Sequence, residues 1–244
     1  MNTDKTLNLK GDGYGKDKES IDYWLINRTK LKDLYKSELY FFSKALEFSN
    51  KVLDIGCAAG GSALFCREGK EAIEYTGIDV SHNLLNAAIA RFSNKPDTKF
   101  IHFDGKKIPL EDGSIDFVFS FGVFHHLNHW SEMLIEALRV SSRYFLFDLR
   151  VWDKDSLVGN KNSYQKLALG NSWDGESIIS YNIISMNKIL ELAIQLKNIK
   201  ISMKAFGYYQ KPTHLAVTPA DKILMLSILL EKNVKHPTFE LLIE

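Results

Sequence analysis

The middle of the chain alternates short apolar runs with stretches whose apolar residues recur every three or four positions. The strand-like runs are Val52-Leu53-Asp54-Ile55, Glu74 to Val80, Lys99 to Gly105, the stretch from Ile108 into Ser120, and Arg143 to Leu149. Between the first three lie Ser62 to Cys66 and Ser81 to Ala90, both with helical spacing, and Ser81 is placed as an N-cap. Strand and helix alternating in this way predict an α/β domain with a parallel sheet and right-handed crossovers.

The flanks follow other patterns. Residues 1–19 are polar and glycine-containing, which predicts a mobile tail, and Ser20 to about Phe48 reads as one or two helices. We therefore divide the chain into a tail and helical cap (1–48) and a main domain (49–244). The segment from about 150 to 184, rich in Asn, Ser, Gly, Lys and Trp, reads as an insertion over the C-terminal strand ends. Beyond it the pattern predicts a helix from Met186 to Lys197. Two strands then follow, Ile199 to Phe206 and His214 to Thr218, and a last helix over Ala220 to Glu231.

Composition narrows the class. A length of 244 residues with 45% hydrophobic and 25% charged residues suits one soluble α/β domain with additions. A net charge of +1 predicts no nucleic-acid partner and no attraction to an anionic membrane. Lys30, Lys32 and Lys36 share a helical face, which reads as a solvated surface. Cys57 and Cys66 are too close to the glycine turn to bridge without straining it, so both are expected as thiols in a cytoplasmic protein. No apolar run reaches transmembrane length, and a monomer and a homodimer remain equally open.

The candidate chemistry begins in the turn after the first strand. Asp54-x-Gly56-x-Ala58-x-Gly60 is followed by Gly61 and a helix start, so bare backbone and free N–H groups face a common space. The turn lacks the G-x-G-x-x-G spacing of a pyrophosphate site, and Asp54 would repel a phosphate while suiting a cation. Asp79 ends the second strand, 25 positions after Asp54, where a carboxylate can accept both hydroxyls of a ribose. Asp104 ends the third strand, and Phe121-Gly-Val-Phe-His-His-Leu127 follows the fourth.

These features, in this order over about residues 50–150, resemble the class I S-adenosylmethionine-dependent methyltransferases, with Ala58 in place of the middle glycine of their first motif. The resemblance implies a Rossmann-like, seven-stranded, mostly parallel sheet ending in an antiparallel hairpin. It implies S-adenosylmethionine as cofactor and S-adenosylhomocysteine as product. The implied cofactor residues are Asp54, Gly56, Cys57, Ala58 and Gly60 in the turn, with Asp79 and Val80 at the ribose. Asp104 and Gly105 would stand at the adenine, Phe121 after the fourth strand, and Tyr23 and Arg28 in the cap.

Methyl transfer from a sulfonium is an in-line displacement, so the protein must align a nucleophile and, for a hydroxyl, remove a proton. His125 and His126 are the candidate bases, His126 preferred, with Asp148 as a further polar group at the fifth strand's end. Arg150, Trp24, Trp173 and Tyr181 are the candidate acceptor contacts, Arg150 through a phosphate. Asp148, Asp153 and Asp155 have no spacing that dictates a metal, and none is expected. The amide and aromatic content of the insertion suggests a small polar acceptor methylated on oxygen. A sugar, a nucleotide-linked sugar or a phosphorylated intermediate fits, as in the bacterial surface-glycan and secondary-metabolite enzymes that the chain resembles. A small amine methylated on nitrogen, and a non-catalytic cofactor-binding subunit, are the alternatives.

Overall fold

The computed structural model describes residues 7–8, 13–168 and 175–244. The chain opens with β1 (Leu7–Asn8), α1 (Lys18–Ile26) and α2 (Lys36–Glu47). The alternating part follows: β2 (Lys51–Ile55), α3 (Gly61–Gly69), β3 (Glu74–Asp79), α4 (His82–Arg91), β4 (Thr98–His102), β5 (Ile115–Ser120), α5 (Trp130–Val140) and β6 (Ser141–Trp152). The remainder comprises β7 (Tyr164–Lys166), β8 (Ile178–Ser180), β9 (Ile184–Ser185), α6 (Met186–Asn198), β10 (Ser202–Gln210), β11 (Ala216–Val217), β12 (Ile223–Glu231) and β13 (Phe239–Ile243).

The main sheet runs β13-β10-β12-β6-β5-β2-β3-β4, with β9 paired beside the end of β6. Strands β4, β3, β2, β5 and β6 are mutually parallel, and β12 lies antiparallel between β6 and β10. The pleat sorts the first strand's side chains to two layers. Leu53 and Ile55 join the core shared with α5 and α6, while Val52 joins the core shared with α2 and α3. Helix α2 buries Phe41, Phe42, Ala45 and Leu46, with the Phe42 ring against Phe65, Phe117 and Phe119. It is thus a layer of the sheet's packing as well as part of the cap region. The N-cap at Ser81 is present, its hydroxyl accepting from Leu84 N at 3.1 Å.

The class I architecture expected from the sequence is present, with three changes of detail. Residues 220–231 do not form a helix: Ile223–Glu231 is β12, and it, not His214–Thr218, closes the hairpin with β10. An unbroken apolar run cannot show its period, and here the run is buried on both faces between two strands, which favours extended backbone. His214–Thr218 supplies only the short β11, in a different sheet. The main sheet also exceeds seven strands, because β13 adds a parallel edge beside β10 and β9 pairs at β6.

A second, four-stranded sheet has the order β1-β8-β7-β11. It joins residues of the amino-terminal stretch, of the insertion, and of the connection between β10 and β12. Gln165 on β7 and Ile179 on β8 face the cavity described below, so this sheet is its roof. Cys57 and Cys66 are both free and buried. Among the described residues no helix is long and apolar enough to cross a membrane.

Because β12 is central to the main sheet, removing a buried side chain from it leaves a cavity. Ile228→Ala, at a fully buried site, is expected to cost about 2–5 kcal/mol of unfolding free energy in a denaturant titration.

Candidate active site

The C-terminal ends of β2 to β6 open into one cavity of about 720 Å³ beneath the roof, a size typical of small-molecule sites. Its floor is the turn after β2. Gly56 and Gly60 take left-handed backbone (φ +81° and +75°), and Ala58 does so without being glycine (φ +46°). One carboxylate holds this turn: Asp79 Oδ2 accepts from Ala58 N at 2.9 Å, and Asp79 Oδ1 accepts from Ser81 N at 2.9 Å.

Gly56 and Gly61 line the cavity, and each glycine of the turn also lets protein approach closely. A Cβ on Gly56 would stand 2.3 Å from Val123 Cγ2. On Gly60 it would meet the Phe100 ring at 2.8 Å, and on Gly61 the Asn27 and Arg28 carbonyls at 2.9 Å. Gly60 therefore lies behind the cavity wall and serves packing.

Asp54 is buried at the cavity edge and accepts from Tyr75 Oη at 2.7 Å. Burial raises its pKa to about 6, against the hydrogen bonds from Tyr75 and Ser62 that lower it. It is thus mostly ionised at neutral pH and suits a cationic ligand group. Asp104 is exposed at the rim and accepts from Lys106 N and Lys107 N at 2.9 and 3.1 Å. Its neighbour Gly105 is held by His129, whose Nε2 lies 3.0 Å from the Gly105 carbonyl. Val80, Cys57 and Phe121 also line the cavity.

The segment after α1 reaches over the turn. Arg28 has left-handed backbone (φ +52°), and its guanidinium lies over the Tyr35 and Phe121 rings. Its Nη2 donates to Glu38 Oε2 at 2.5 Å, while its Nη1 is 3.7 Å from where a Gly122 Cβ would be. Tyr23 and Trp24 line the same wall, and the buried Trp24 Nε1 has no partner.

His125 and His126 sit in a one-turn 3-10 helix after β5, with ring centroids 3.9 Å apart. His126 Nδ1 is 2.7 Å from the Ser180 carbonyl, which can only accept, so Nδ1 carries the proton and Nε2 keeps its lone pair. Burial lowers the His126 pKa to about 4, with Arg150 lowering it further and the Ser180 bond opposing. Burial also holds His125 well below the usual histidine range, and its buried Nδ1 has no partner. Asp148 does not line the cavity. Its Oδ1 accepts from Gly122 N at 2.6 Å and its Oδ2 is ion-paired with Arg150, so both oxygens are taken. Arg150 and Tyr181 do reach the wall, as expected. Trp173 lies outside the described residues. Among the described residues no group of three or more His, Cys, Asp or Glu could hold a metal ion.

Tyr14 escaped the sequence reading. It lies in a polar stretch with no periodic pattern, yet its ring packs edge-on to Trp24 with centroids 5.7 Å apart and lies 6.3 Å from His126. Burial pushes its phenol pKa up, and Gln165 Nε2 donates to its oxygen at 3.4 Å. The pairing of β1 with β8, the Asn83 Nδ2 bond to the Gly15 carbonyl at 3.0 Å, and Asp17, an N-cap for α1 whose carboxylate accepts from Ser20 N at 2.8 Å, tie this stretch down.

Comparison with known proteins agrees with this geometry. Residues 53–143 match the family described as "Methyltransferase domain". The chain is 33% identical over 109 residues to phthiotriol/phenolphthiotriol dimycocerosates methyltransferase 1 of Mycobacterium ulcerans, which covers 43% of this chain and 40% of that protein. The chain thus spans about two fifths of the length of that relative. A crystal structure of a SAM-dependent methyltransferase from Methanosarcina mazei superposes with a TM-score of 0.59 at 15% identity, covering 83% of this chain and 99% of that one. The N-terminal domain of EvdMO1 with S-adenosylhomocysteine bound superposes with a TM-score of 0.54 at 13% identity, covering 80% and 79%. The segment 53–143 is therefore a methyltransferase domain, set in the class I fold. S-adenosylmethionine is the cofactor of that class, and the cavity fits it: a cradle of backbone, a carboxylate at the end of β3, and an indole N–H without a partner among the described residues line one space.

Asp79→Ala removes both a ribose acceptor and the lock on the turn. It is expected to weaken S-adenosylmethionine binding about 10- to 100-fold in calorimetry and to lower the melting temperature as well. Loss of stability with unchanged affinity would leave Asp79 a structural role alone.

Proposed function

We propose that the protein transfers the methyl group of S-adenosylmethionine to a hydroxyl oxygen of a small polar acceptor. The observation that carries this reading is the His126 lone pair at Nε2, on the wall of the same cavity as the turn after β2. The cofactor, when bound, supplies a methyl group on a sulfonium, which is already electrophilic. The turn and Asp79 hold its nucleoside, Asp54 stands for its ammonium, and Arg28 for its carboxylate. The roof excludes water.

His126 then acts on the acceptor. Its Nε2 would accept a hydrogen bond from the acceptor hydroxyl and take up the proton that the oxygen loses on methylation. With a pKa of about 4 the ring is neutral at physiological pH, so its lone pair is always available. Such a weak base does not generate an alkoxide beforehand; the proton moves with the methyl transfer. Ser180 fixes the tautomer, and Tyr14 and Gln165 present polar groups opposite.

For the acceptor itself, the amide and aromatic walls support a sugar, a nucleotide-linked sugar or a phosphorylated intermediate, while the Arg150 charge on that wall is already met by Asp148. Ile179, Leu215 and Met225 on the same wall, with the lipid named for the mycobacterial relative, favour a second reading, a hydroxyl on a more apolar body. A screen with radiolabelled S-adenosylmethionine against sugar nucleotides, sugar phosphates, hydroxylated lipids and amines separates these.

With the acceptor found, His126→Ala is expected to lower kcat about 100-fold or more while leaving S-adenosylmethionine affinity unchanged. Wild-type turnover limited by this base should fall only as pH drops toward about 4. An unchanged kcat in the variant removes His126 as the base and favours an amine acceptor.

A further inference from the structure

The charges under the cofactor's end of the cavity are unusual. Glu38, on α2, is fully buried; its Oε2 accepts from Arg28 Nη2 at 2.5 Å and from Tyr35 N at 2.8 Å, and its Oε1 has no partner. The charged and titratable groups facing it are Arg28 after α1, Tyr35 before α2, Asp148 and Arg150 on β6, and Tyr208 on β10. Asp148 and Arg150 neutralise each other as an ion pair. Arg28 and Glu38 form the second pair, so the two ion pairs balance, two cations against two carboxylates. The buried Asp54 also feels the Arg28 charge, so the set holds no spare cation for a further anion.

Arg28, however, turns its other edge toward Gly122 at the cavity wall. An anionic group arriving there makes three carboxylates share two guanidiniums away from water. Like charges at such spacing cannot all stay ionised in a medium of low polarity. Glu38 is the member best placed to yield. Asp148 has both oxygens occupied, whereas Glu38 has an oxygen with no hydrogen bond to stabilise its charge.

We propose that Glu38 is the proton-exchanging counter-ion of Arg28: when the cofactor's carboxylate binds Arg28, Glu38 takes one proton from solvent and becomes a neutral acid. This rests on the placement of the cofactor's carboxylate at Arg28 in the function proposed above. The proton adds to Oε1, and Oε2 continues to accept from Arg28 and Tyr35. Glu38 is thus a positioning residue that aims Arg28 in the free protein and releases charge when the cofactor arrives. Burial already raises its pKa to about 7, with Arg28 opposing and Asp148 assisting, so little further change is needed. Above that pH the carboxylate must be protonated on binding, and affinity for the cofactor falls as pH rises.

Calorimetric titration of the full chain with S-adenosylmethionine in buffers of different ionisation enthalpy counts the protons taken up. At pH 7, where free Glu38 is about half protonated, wild type should take up about half a proton more per cofactor than Glu38→Gln. The ammonium of the ligand and Asp54 contribute equally to both proteins and cancel. Decarboxylated S-adenosylmethionine, which keeps the ammonium and the sulfonium, should take up about half a proton less than S-adenosylmethionine on wild type alone, a comparison that needs no variant to fold. Equal uptake by wild type and Glu38→Gln, or equal uptake of the two ligands on wild type, overturns the proposal while leaving the methyltransferase reading intact. No binding of S-adenosylmethionine at all overturns that reading, and this inference with it.

Discussion

One carboxylate holds the site together. Asp79 ends β3, and its two oxygens bind the backbone of Ala58 in the neighbouring turn and of Ser81 at the start of α4. The turn needs such a lock because Ala58 is in a conformation that costs an alanine free energy, and neighbouring groups must over-determine it. Gly56 and Gly61 then let Val123 and the Asn27–Arg28 backbone close on the turn from two sides. The segment bearing the histidines and the segment bearing Arg28 are thus both positioned against a backbone that Asp79 fixes.

Charge is treated differently at the two ends of the cavity. Beside β3 and β4 the carboxylates either reach the rim, as Asp104 does, or are held by backbone N–H groups, as Asp79 is. Beneath the segment after α1 they are buried and paired with cations: Asp148 has Arg150 and Glu38 has Arg28. The same burial that raises the pKa of Asp54 and Glu38 lowers that of both histidines. All four shifts favour the neutral form, which is what a site of low polarity demands. Two neutral imidazoles, His125 and His126, follow from that rule.

The sequence showed those parts of the molecule in which a local pattern and the tertiary role coincide. The parallel strands β2, β3 and β6, the turn after β2, the cap at Ser81 and the helix α6 each carry a periodic or capping signal. The run Ile223 to Glu231 carries none, because seven apolar residues interrupted by Ser227 fit a buried helix and a buried strand alike, and only the vacant place between β6 and β10 decides. Glu38 and Tyr14 were unreadable for another reason. Both sit in segments whose sequence resembles ordinary surface, and both acquire their environment from partners far along the chain, Arg150 and Asp148 for one and Gln165 for the other. Asp148 shows the converse: the sequence pattern puts it at a strand end, a functional signal, but β6 runs on to Trp152, and Gly122 and Arg150 take up the carboxylate.

The place of β12 also sets an order on folding. It pairs with β6 on one side and β10 on the other, so one edge of β6 stays unpaired until residues 223–231 have left the ribosome. About seventy residues separate the two strands in the chain, among them three of the four strands of the cavity's roof. A nascent chain that already holds the cofactor turn therefore carries a sticky sheet edge for several seconds at ordinary rates of synthesis, about 5–20 residues per second. Chaperone dependence during expression, and aggregation of forms truncated before β12, are built into the topology of this fold.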